Sequence, residues 1–594
     1  MNQERLRRRR IRRRAAAVLA AAGLINIVSA VTPPIRNRLG ELLGYVPLTI
    51  PQAATAGVAL AGLALLLLSL GVRRGQRPAW ALALALVSLS AVLHVLKGVD
   101  LEEAAVLLAA GGYLVRHRGV FDAESDGPSM RRGLVVGSLV GAGAVGVATV
   151  VVRAWPGQLP KPTLGRTLID VSQHLVGARA APLPGRYAPL LEALLFALGV
   201  AITAGAGWLL CRPVADRRRQ GKAALAHARE LVTRHGGDTL SYFALRADKR
   251  FFFHGETVVA YAVVSGVCLV SPDPIGPVSE RASAWEAFHA YTDAMGWPVA
   301  VVGATEEWLP IYQQAGMRSR YVGDEAVVDC AQFCLDGGRF KGLRQAVNRV
   351  ARKGYTVEFF DPARLTPALR AQLRQLGTKS RRGEAERGFS MTLGRLFDPV
   401  DKGLLLAVAF DPAGAPAAFC QYVPASAIEG VSLDVMRRTD APAPNGLTDF
   451  VVVKTIHHLR DNGYKRLALN FATMRAVLAG EAGDRLGTRI EHWLLKRMSA
   501  SMQIESLWYF NAKYDPAWRP RYAVYDGPEH VLPSALAVAR AESFCDLPLV
   551  GRLFAADTNG SGEPGGADAT VPVESVAAHG NAPRVGRHTP PQRP

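Results

Sequence analysis

The sequence predicts two parts, an all-α transmembrane helix bundle of about six spans followed by a C-terminal α/β domain. Apolar runs of near-membrane length recur within the first 211 residues. Residues 1–222 carry 28 Lys and Arg against 11 Asp and Glu, whereas the rest of the chain carries 42 against 39. From Gly221 onward the pattern changes to short β-rich runs that alternate with helical segments, which is typical of a globular α/β domain.

The apolar runs account for much of a chain that has 594 residues and is 49% hydrophobic. A run of about 20 residues crosses the roughly 30 Å of bilayer hydrocarbon as a helix. The fourth run is short and opens with Asp100, Glu102 and Glu103. The first should be a retained span, because TPPIRNR after it offers no cleavage site of small residues. The runs lie at 15–31, 51–71, 79–96, 101–115, 133–154 and 188–211.

The arginines beside these runs predict the orientation. An isoelectric point near 10 would ordinarily suggest a nucleic-acid binder, but most of the basic excess follows the positive-inside rule. We therefore expect a basic cytoplasmic N-terminus at 1–14, a transmembrane region at 15–212 in the cell membrane, and a cytoplasmic C-terminal domain. The residues on the expected cytoplasmic side are the eight arginines before Ala15, then Arg73, Arg74, Arg77, Arg116, Arg118, Arg131, Arg132, Arg212, Arg217, Arg218 and Arg219.

The α/β domain divides into two cycles of similar length, predicted as halves at 221–335 and 336–550. The second cycle should contain a basic helix at 340–353, strands near 355–360, 404–410 and 417–423, a helix at 447–462, a strand at 465–471 and a helix at 488–502. No sequence repeat joins the halves. The residues from 555 to 594 are rich in Gly, Pro, Ser and Ala and are predicted to be a disordered tail.

Cysteine and histidine spacing predicts no metal site. Six cysteines with one close pair, Cys330 and Cys334, give neither a disulfide framework nor four metal ligands. We expect buried thiols in a reducing compartment.

The segment RFKGLRQAVNRVARKGY predicts an amphipathic helix with a cationic face. Phe340, Leu343, Val347 and Val350 form one apolar stripe at a spacing of three to four residues. Within 340–353, the remaining positions include five cations and no acid, namely Lys341, Arg344, Arg349, Arg352 and Lys353. An ordinary solvated face usually mixes both signs, so phosphates of RNA or lipid are the favoured partners, with a plain surface helix as the alternative.

Two further segments could carry chemistry. In SLDVMRR, Asp434 and Arg437 lie three residues apart, which places them on opposite faces of a strand or together on a turn. A structural ion pair and an active site both remain open there. In SLWYFNAKYDPAWRPRYAVYDG, two prolines prevent a long helix, and aromatic residues lie among cations that need partners if buried. The basic residues of that segment are Lys513, Arg519 and Arg521.

These segments, in order, resemble the C-terminal domain of bacterial phosphatidylglycerol lysyltransferases, the multiple peptide resistance factor family. The resemblance covers about 235–530 and also includes GGDTLSYFALRADKRFFF, VSPDPIGP and PNGLTDFVVVKTIHHL. It implies a tandem GNAT-like fold that transfers lysine or alanine from aminoacyl-tRNA to the glycerol hydroxyl of phosphatidylglycerol. The membrane then becomes less anionic, which gives resistance to cationic peptides. LNFATMRAVLAG at 469–480 differs from the LGMAPL-type segment of lysyl-transferring members and looks closer to actinobacterial members; lysine is the preferred donor amino acid.

The resemblance also implies the site residues. Asp434, Arg437 and Lys513 are the expected catalytic residues. As a hypothesis from the mechanism, Asp434 orients or deprotonates the lipid hydroxyl, Arg437 neutralises the lipid phosphate and Lys513 faces the oxyanion or the tRNA terminal phosphate, and these roles could be exchanged among the three. The expected substrate-binding residues are Lys341, Arg344, Arg349, Asn470, Asn511, Tyr514 and Arg521. No cofactor is expected beyond the aminoacyl-tRNA donor. Phosphatidylglycerol and other anionic lipids are the expected partners, and a homo-oligomer is an open alternative.

Three rival functions share parts of this pattern. An acetyltransferase that uses acyl-CoA needs a Gly-rich pyrophosphate turn, and 223–550 contains no Q/R-x-x-G-x-G/A segment. A Fem-type enzyme would pass the amino acid to a cell-wall precursor from the same donor. A lipid flippase or transporter without catalysis would need ionisable groups inside the spans, where only His94 and Glu192 lie well within the predicted runs.

Overall fold

The computed structural model of the chain describes nine stretches of residues. They are 2–31, 49–98, 100–123, 127–154, 163–175, 188–210, 220–381, 388–473 and 504–542. The arginines at 212 and 217–219, the predicted helix at 488–502 and the predicted tail at 555–594 lie outside these stretches.

Helices occupy all the apolar runs of the N-terminal part. They are α1 (Asn2–Val31), α2 (Thr49–Arg73), α3 (Arg77–Gly98), α4 (Leu101–Arg116), α5 (Gly127–Ala154), α6 (Leu164–Leu175) and α7 (Ala188–Leu210), of which the short α6 was not predicted. By length and composition, two described stretches could cross a membrane, Glu4–Ala30 and Arg77–Val95. Shorter apolar helical stretches occur at Gly57–Arg73, Ser138–Ala154 and Glu192–Ala206. The helical character is confirmed, and the number of six spans stays a prediction.

Helices α1 to α4 pack around a shared apolar core that includes Leu19, Leu65 and Leu107. The α1 and α2 backbones approach closely at Gly23 and Gly62, because a Cβ on either glycine would lie 2.7 Å from the carbonyl oxygen of the other. Small residues at such contacts are typical of helices that associate in membranes, where close packing replaces the hydrophobic driving force.

The C-terminal domain is built on one mixed sheet of eleven strands, in the order β1-β2-β3-β4-β11-β5-β10-β9-β8-β7-β6. The strands are β1 (Arg250–His254), β2 (Thr257–Val264), β3 (Val267–Val270), β4 (Val299–Ala304), β5 (Arg318–Asp329), β6 (Thr356–Phe360), β7 (Leu405–Phe410), β8 (Pro416–Ala425), β9 (Gly430–Arg438), β10 (Arg466–Thr473) and β11 (Ala517–Tyr525). Its helices are α8 (Lys222–His235), α9 (Arg281–Ala294), α10 (Leu309–Gln314), α11 (Lys341–Arg352), α12 (Pro367–Arg381), α13 (Leu447–Asp461), α14 (Ile504–Ala512) and α15 (Val531–Ala541).

The sheet repeats one pattern in its two halves. Each half begins with antiparallel strands and then contains a parallel pair, β3 with β4 in the first and β9 with β10 in the second. The next strand of each half joins the other half, since β5 pairs with β10 and β11 pairs with β4. The strands β5 and β11 pair with each other at the centre. A boundary at 335/336 therefore divides the sequence but does not divide the sheet.

The predicted basic helix is α11, and its apolar stripe is confirmed. Leu343, Val347 and Val350 are buried in a core shared with α13 and the second half of the sheet, and Phe340 packs against that core. Helix α13 starts after Gly446, which has a φ of +98° and whose Cβ would lie 2.7 Å from that of Ala346 on α11. This glycine provides both the left-handed turn and the close helix contact.

The N-terminal end of α1 contacts the C-terminal domain through ion pairs. Arg9 donates to Asp526, just after β11, at 2.8 and 3.0 Å, and to Asp293 on α9 at 3.0 Å. Arg5 also pairs with Asp293. Only 2% of the Asp526 side chain is exposed, so this acid is buried where α1 meets the C-terminal domain. The arginines that predict orientation therefore also hold the two parts of the chain together.

Candidate active site

Asp434 lies at a bulge in β9 and is fully enclosed. Gln421 of β8 pairs with Val435 and Tyr422 pairs with Leu433, which leaves Asp434 as the extra residue. Its carboxylate accepts hydrogen bonds from the backbone N–H of Leu393 at 2.9 Å and from Nε2 of Gln421 at 2.7 Å. The residue is 2% exposed. A buried carboxylate needs such donors, and these two anchor the segment around Leu393 against the sheet.

The bulge brings Arg437 to the same face of the sheet as Asp434. Arg437 is paired with Phe419, which lies two residues before Gln421 on β8. Residues that are directly opposed on neighbouring strands lie on the same face of the sheet, so Arg437 lies on the face of Phe419 and Gln421. Asp434 also lies on this face, because its carboxylate accepts a hydrogen bond from Gln421 across the bulge. Regular alternation would have separated the two residues. Arg437 is half-buried, and its Nη1 donates to the carbonyl oxygen of Met436 at 3.0 Å.

Lys513 and Tyr514 converge on a carboxylate that the sequence reasoning missed, Asp449. The Nζ of Lys513 lies 3.1 Å from each carboxylate oxygen of Asp449, and the Tyr514 hydroxyl donates to Oδ1 at 2.8 Å. Lys513 keeps 44% of its side chain exposed, whereas the side chain of Asp449 is 12% exposed. Burial, together with the charge of Asp449, raises the pKa of Tyr514 well above its usual value, so the hydroxyl stays protonated.

The position of Asp449 has a simple local cause. It is the acidic residue of the first turn of α13, where the unpaired N–H groups and the helix dipole favour a negative charge. The motif PNGLTDF, which contributes to the family resemblance, contains this residue. The sequence signal for this site is an acid, Asp449, three residues after Gly446, a glycine that can precede a helix.

The three predicted catalytic residues approach the sheet from opposite faces. Tyr514, next to Lys513, packs in the core under α11 and α13. Phe419 and Val435, on the face of Arg437 and Asp434, pack in the core under α12. The structure thus separates a group of Lys513, Tyr514 and Asp449 from a group of Asp434 and Arg437.

The cationic face of α11 is open to solvent. Lys341 and Arg349 are exposed, as are Arg352 and Lys353. Arg344 differs, because its Nη1 donates to the carbonyl oxygens of Leu335 and Gly337 and fastens the preceding loop. Four of the five predicted cations can therefore reach a polyanion without breaking a contact that the structure describes.

Arg521 sits in a closed network of buried ion pairs. It is 3% exposed and donates to both carboxylate oxygens of Asp238 at 2.6 and 2.8 Å, to Glu325 at 2.6 Å and to Thr239 at 2.6 Å. Burial acts against its charge, but Asp238 and Glu325 outweigh this effect and raise its pKa well above the usual value. This geometry favours a structural role in joining β11 to the first half, and substrate binding by Arg521 stays a prediction.

The remaining predicted residues contribute less. Asn511 on α14 is fully buried, and its backbone carbonyl oxygen accepts a hydrogen bond from the backbone N–H of Tyr514 at 3.2 Å. Asn470 belongs to β10, but its side chain lies outside the described residues.

Among the described residues, one group could hold a metal ion: His94, Asp100 and Glu103, whose ligand atoms lie within 4.8 Å of one another. It belongs to the N-terminal helices and not to the sheet.

Comparison with known proteins gives one consistent result. A family model described as phosphatidylglycerol lysyltransferase, C-terminal, matches residues 229–525, which is half of the chain and contains every strand of the sheet. The lysylphosphatidylglycerol biosynthesis bifunctional protein LysX of Rhodococcus opacus is 34% identical over 455 residues, 75% of this chain and 40% of that protein. The protein of the same name from Mycobacterium tuberculosis is 36% identical over 433 residues, 69% of this chain and 36% of that protein.

Among solved structures, L-PGS from Bacillus licheniformis is 25% identical, with a TM-score of 0.48 over 55% of this chain and 99% of that chain. The chain spans about 40% of the length of the first of these LysX relatives. The half of the chain that the family model matches contains the basic helix, Asp434, Arg437 and Lys513. The chain therefore belongs to the family of the phosphatidylglycerol lysyltransferase C-terminal domain.

Proposed function

We propose that this chain is an aminoacyltransferase that moves an amino acid, with lysine as the first candidate, from aminoacyl-tRNA to the glycerol hydroxyl of phosphatidylglycerol. The observation that carries the proposal is the family match, which spans the whole eleven-stranded sheet and all three predicted catalytic residues. The sheet order, which repeats one pattern with exchanged strands, supports a tandem GNAT-like arrangement. Resistance to cationic peptides would follow from the reduced negative charge of the membrane.

The reaction is a transesterification and needs no external energy source. The lipid hydroxyl oxygen attacks the ester carbonyl carbon, the bond from that carbon to the tRNA ribose oxygen breaks, and the hydroxyl proton passes to the ribose oxygen. Charge develops on the carbonyl oxygen in the tetrahedral intermediate. Catalysis therefore depends on positioned donors at that oxygen and on holding two anionic substrates together.

Lys513 has the geometry for the oxyanion role. Asp449 holds its ammonium through both carboxylate oxygens, and the 44% of the side chain that is exposed leaves the cation open to a substrate. A fixed cation needs little rearrangement in the transition state, which is the source of its catalytic benefit.

Asp434 and Arg437 have different surroundings from Lys513. Asp434 is enclosed, and both of its oxygens accept hydrogen bonds, so we propose that it positions the Leu393 segment and supports Arg437 at the lipid phosphate. The exposed cations of α11 provide a second anionic contact, which suits the tRNA backbone. Direct proton removal by Asp434 would require that it leave these two donors.

The ion pairs of α1 support one orientation of the chain. Arg5 and Arg9, which precede the apolar part of α1, contact Asp293 and Asp526 of the C-terminal domain. Charged residues do not pass through hydrocarbon at low cost, so this contact supports an N-terminus and a C-terminal domain on the same side. We propose that this side is the cytoplasm, where aminoacyl-tRNA is available, and that the protein crosses the membrane several times.

The test uses the purified full chain in vesicles that contain phosphatidylglycerol. Lysyl-tRNA and alanyl-tRNA are supplied separately, each with the amino acid isotopically labelled, and the lipids are analysed by mass spectrometry. We expect labelled aminoacyl-phosphatidylglycerol from one of the two donors. Label in a lipid-linked cell-wall precursor would indicate the Fem-type function instead. Movement of a fluorescent lipid between leaflets without any aminoacylated lipid would indicate a flippase, and either result would overturn the proposal.

A further inference from the structure

The eight arginines of the N-terminal segment divide into two faces of α1. Five of them contact acidic groups: Arg5 and Arg9 reach the C-terminal domain, Arg8 and Arg12 reach Asp122, and Arg13 reaches Glu529. The other three are Arg7, Arg10 and Arg14. They recur at a spacing of three and four residues, which places them on one side of a helix.

This second face is open to solvent. Arg7, Arg10 and Arg14 are all exposed, and none of them forms an ion pair with a residue that the structure describes. The one hydrogen bond recorded for their side chains runs from Nε of Arg10 to the carbonyl oxygen of Leu6 at 3.3 Å. Three cations on one helix face repel one another, so an anionic ligand would stabilise the arrangement.

The three arginines line a cavity of about 990 Å³ between α1 and the C-terminal end of α4. Tyr113 and His117 form the opposite wall, with their ring centroids 4.6 Å apart. Ile11 gives the cavity an apolar patch. The volume falls within the range of small-molecule sites.

The cavity lies beside the start of the apolar part of α1. Arg14 directly precedes Ala15, where the apolar part of α1 begins. Glu4, which also lines the cavity, lies 3.6 Å from Arg8 and is partly neutralised by it. Cations dominate the cavity, and the apolar part of α1 follows directly after Arg14.

We propose that this cavity binds the headgroup of an anionic glycerophospholipid. Arginine is suited to phosphate because its planar guanidinium donates two parallel hydrogen bonds. The Tyr113 ring and Ile11 would meet the glycerol and the upper acyl carbons. RNA would match the charge but not the apolar wall or the position next to a span, so lipid is the favoured ligand. This site lies outside the sheet and does not depend on the proposed transfer reaction.

The direct test measures binding of dioctanoyl phosphatidic acid to the full chain in detergent micelles, by thermophoresis or by thermal shift. This lipid has no glycerol headgroup hydroxyl and cannot accept an amino acid, so its binding is independent of catalysis. We expect saturable binding of this lipid, and no saturation with dioctanoyl phosphatidylcholine or with inorganic phosphate at matched concentrations.

The variant that removes the site is Arg7→Gln/Arg10→Gln. An arginine near an anionic lipid surface contributes about 1 kcal/mol, or roughly fivefold in affinity, so the double variant should bind about thirtyfold more weakly. Arg7→Lys/Arg10→Lys keeps the charge but loses the bidentate geometry, so it should weaken binding measurably but less than the Gln pair. The matched control is Arg116→Gln/Arg118→Gln, which removes two exposed charges near the same end of α4 but outside the cavity. It should remain within about threefold of wild type.

Three results would overturn the proposal. The first is equal weakening by the Arg7/Arg10 pair and by the Arg116/Arg118 pair, which would mean general surface attraction. The second is saturable binding of inorganic phosphate alone with the lipid's affinity, which would mean a simple anion site. The third is complete displacement of the lipid by unacylated tRNA in wild type but not in the Arg7/Arg10 variant, which would assign this face to RNA.

Discussion

Asp526→Asn should destabilise the protein because Asp526 is the buried centre of the contact between α1 and the C-terminal domain. Its carboxylate accepts from two Arg9 nitrogens at 2.8 and 3.0 Å, from Nε2 of His289 at 2.8 Å and from the backbone N–H of Val299 at 2.8 Å. Burial alone would raise the pKa of Asp526, but Arg9 and His289 outweigh it and hold that pKa well below the usual value.

The magnitude follows from the loss of one partner of a buried ion pair, which typically costs 3–5 kcal/mol. Arg9 would keep Asp293 at 3.0 Å, so the lower end of that range applies, about 3 kcal/mol. For a domain of this size each kcal/mol lowers the Tm by roughly 2–4 °C, which predicts a fall of about 6–12 °C. Thermal unfolding of the purified full chain, followed by tryptophan fluorescence, measures this fall in Tm.

Two comparisons make this prediction specific. Asp461→Asn removes a carboxylate that is 63% exposed and pairs with Arg460, and it should change the Tm by no more than about 2 °C. In a double-mutant cycle, Arg9→Gln and Asp526→Asn should show a coupling energy of about 1–3 kcal/mol. Strictly additive effects would mean that α1 does not dock on this acid in the membrane protein, and the reasoning would fail.

Three other predictions address the titration, the chemistry and the tRNA contact. Burial lowers the pKa of His289 to about 4 from 6.5, so the unfolded state binds an extra proton between these values, and the unfolding free energy should fall by up to about 3 kcal/mol as pH drops from 6.5 to 4. Lys513→Met should reduce kcat of the aminoacyl transfer about a hundredfold with little change in KM for lipid, and Asp449→Asn should cause a smaller loss of the same kind. Lys341→Gln/Arg349→Gln should weaken tRNA binding and reduce the slope of log affinity against log salt by about 1–2.

Each of these has its own control. His289→Gln should flatten the pH dependence between pH 6.5 and 4, and an unchanged slope would assign it to other groups. Tyr514→Phe removes the hydroxyl bond to Asp449 but keeps Lys513, so a loss of kcat as large as that of Lys513→Met would mean that packing and not the cation matters. Arg364→Gln removes a cation that is 88% exposed, away from α11, and a salt slope reduced as much as in the α11 variant would remove the tRNA role of that helix.

The local elements were largely predictable because they depend on periodicity. The stripe on α11 and the alternation of strands and helices gave β6, β7, β8, α13 and β10 to within a few residues. The last strand was not predicted, because Pro520 argues against a central strand. Strand β11 pairs with β4 only through residues 522–525, so at Pro520 its one neighbour is β5. The missing N–H is therefore tolerated.

The site was less predictable because it depends on pairings between distant residues. The bulge at Asp434 arises from the register between β8 and β9, which no local pattern shows. Arg521 was predicted to bind substrate, and its structural partners Asp238 and Glu325, which are 283 and 196 residues away in the chain, could not be predicted. Asp449 could have been found from its position after Gly446. Its ion pair with Lys513, 64 residues later in the chain, could not have been found from the sequence.

The N-terminal arginines show why a charge count can have two meanings. As a set, they predict which side of the membrane the N-terminus lies on. In the structure, those facing Asp293 and Asp526 connect α1 to the C-terminal domain, and only the opposite face is left for a lipid. Because both faces belong to one helix, a lipid that holds one face would also fix the height of the domain above the membrane. The proposed transferase, whose acceptor is a lipid headgroup, would need its active site at that fixed height, which would give both faces of the helix a use.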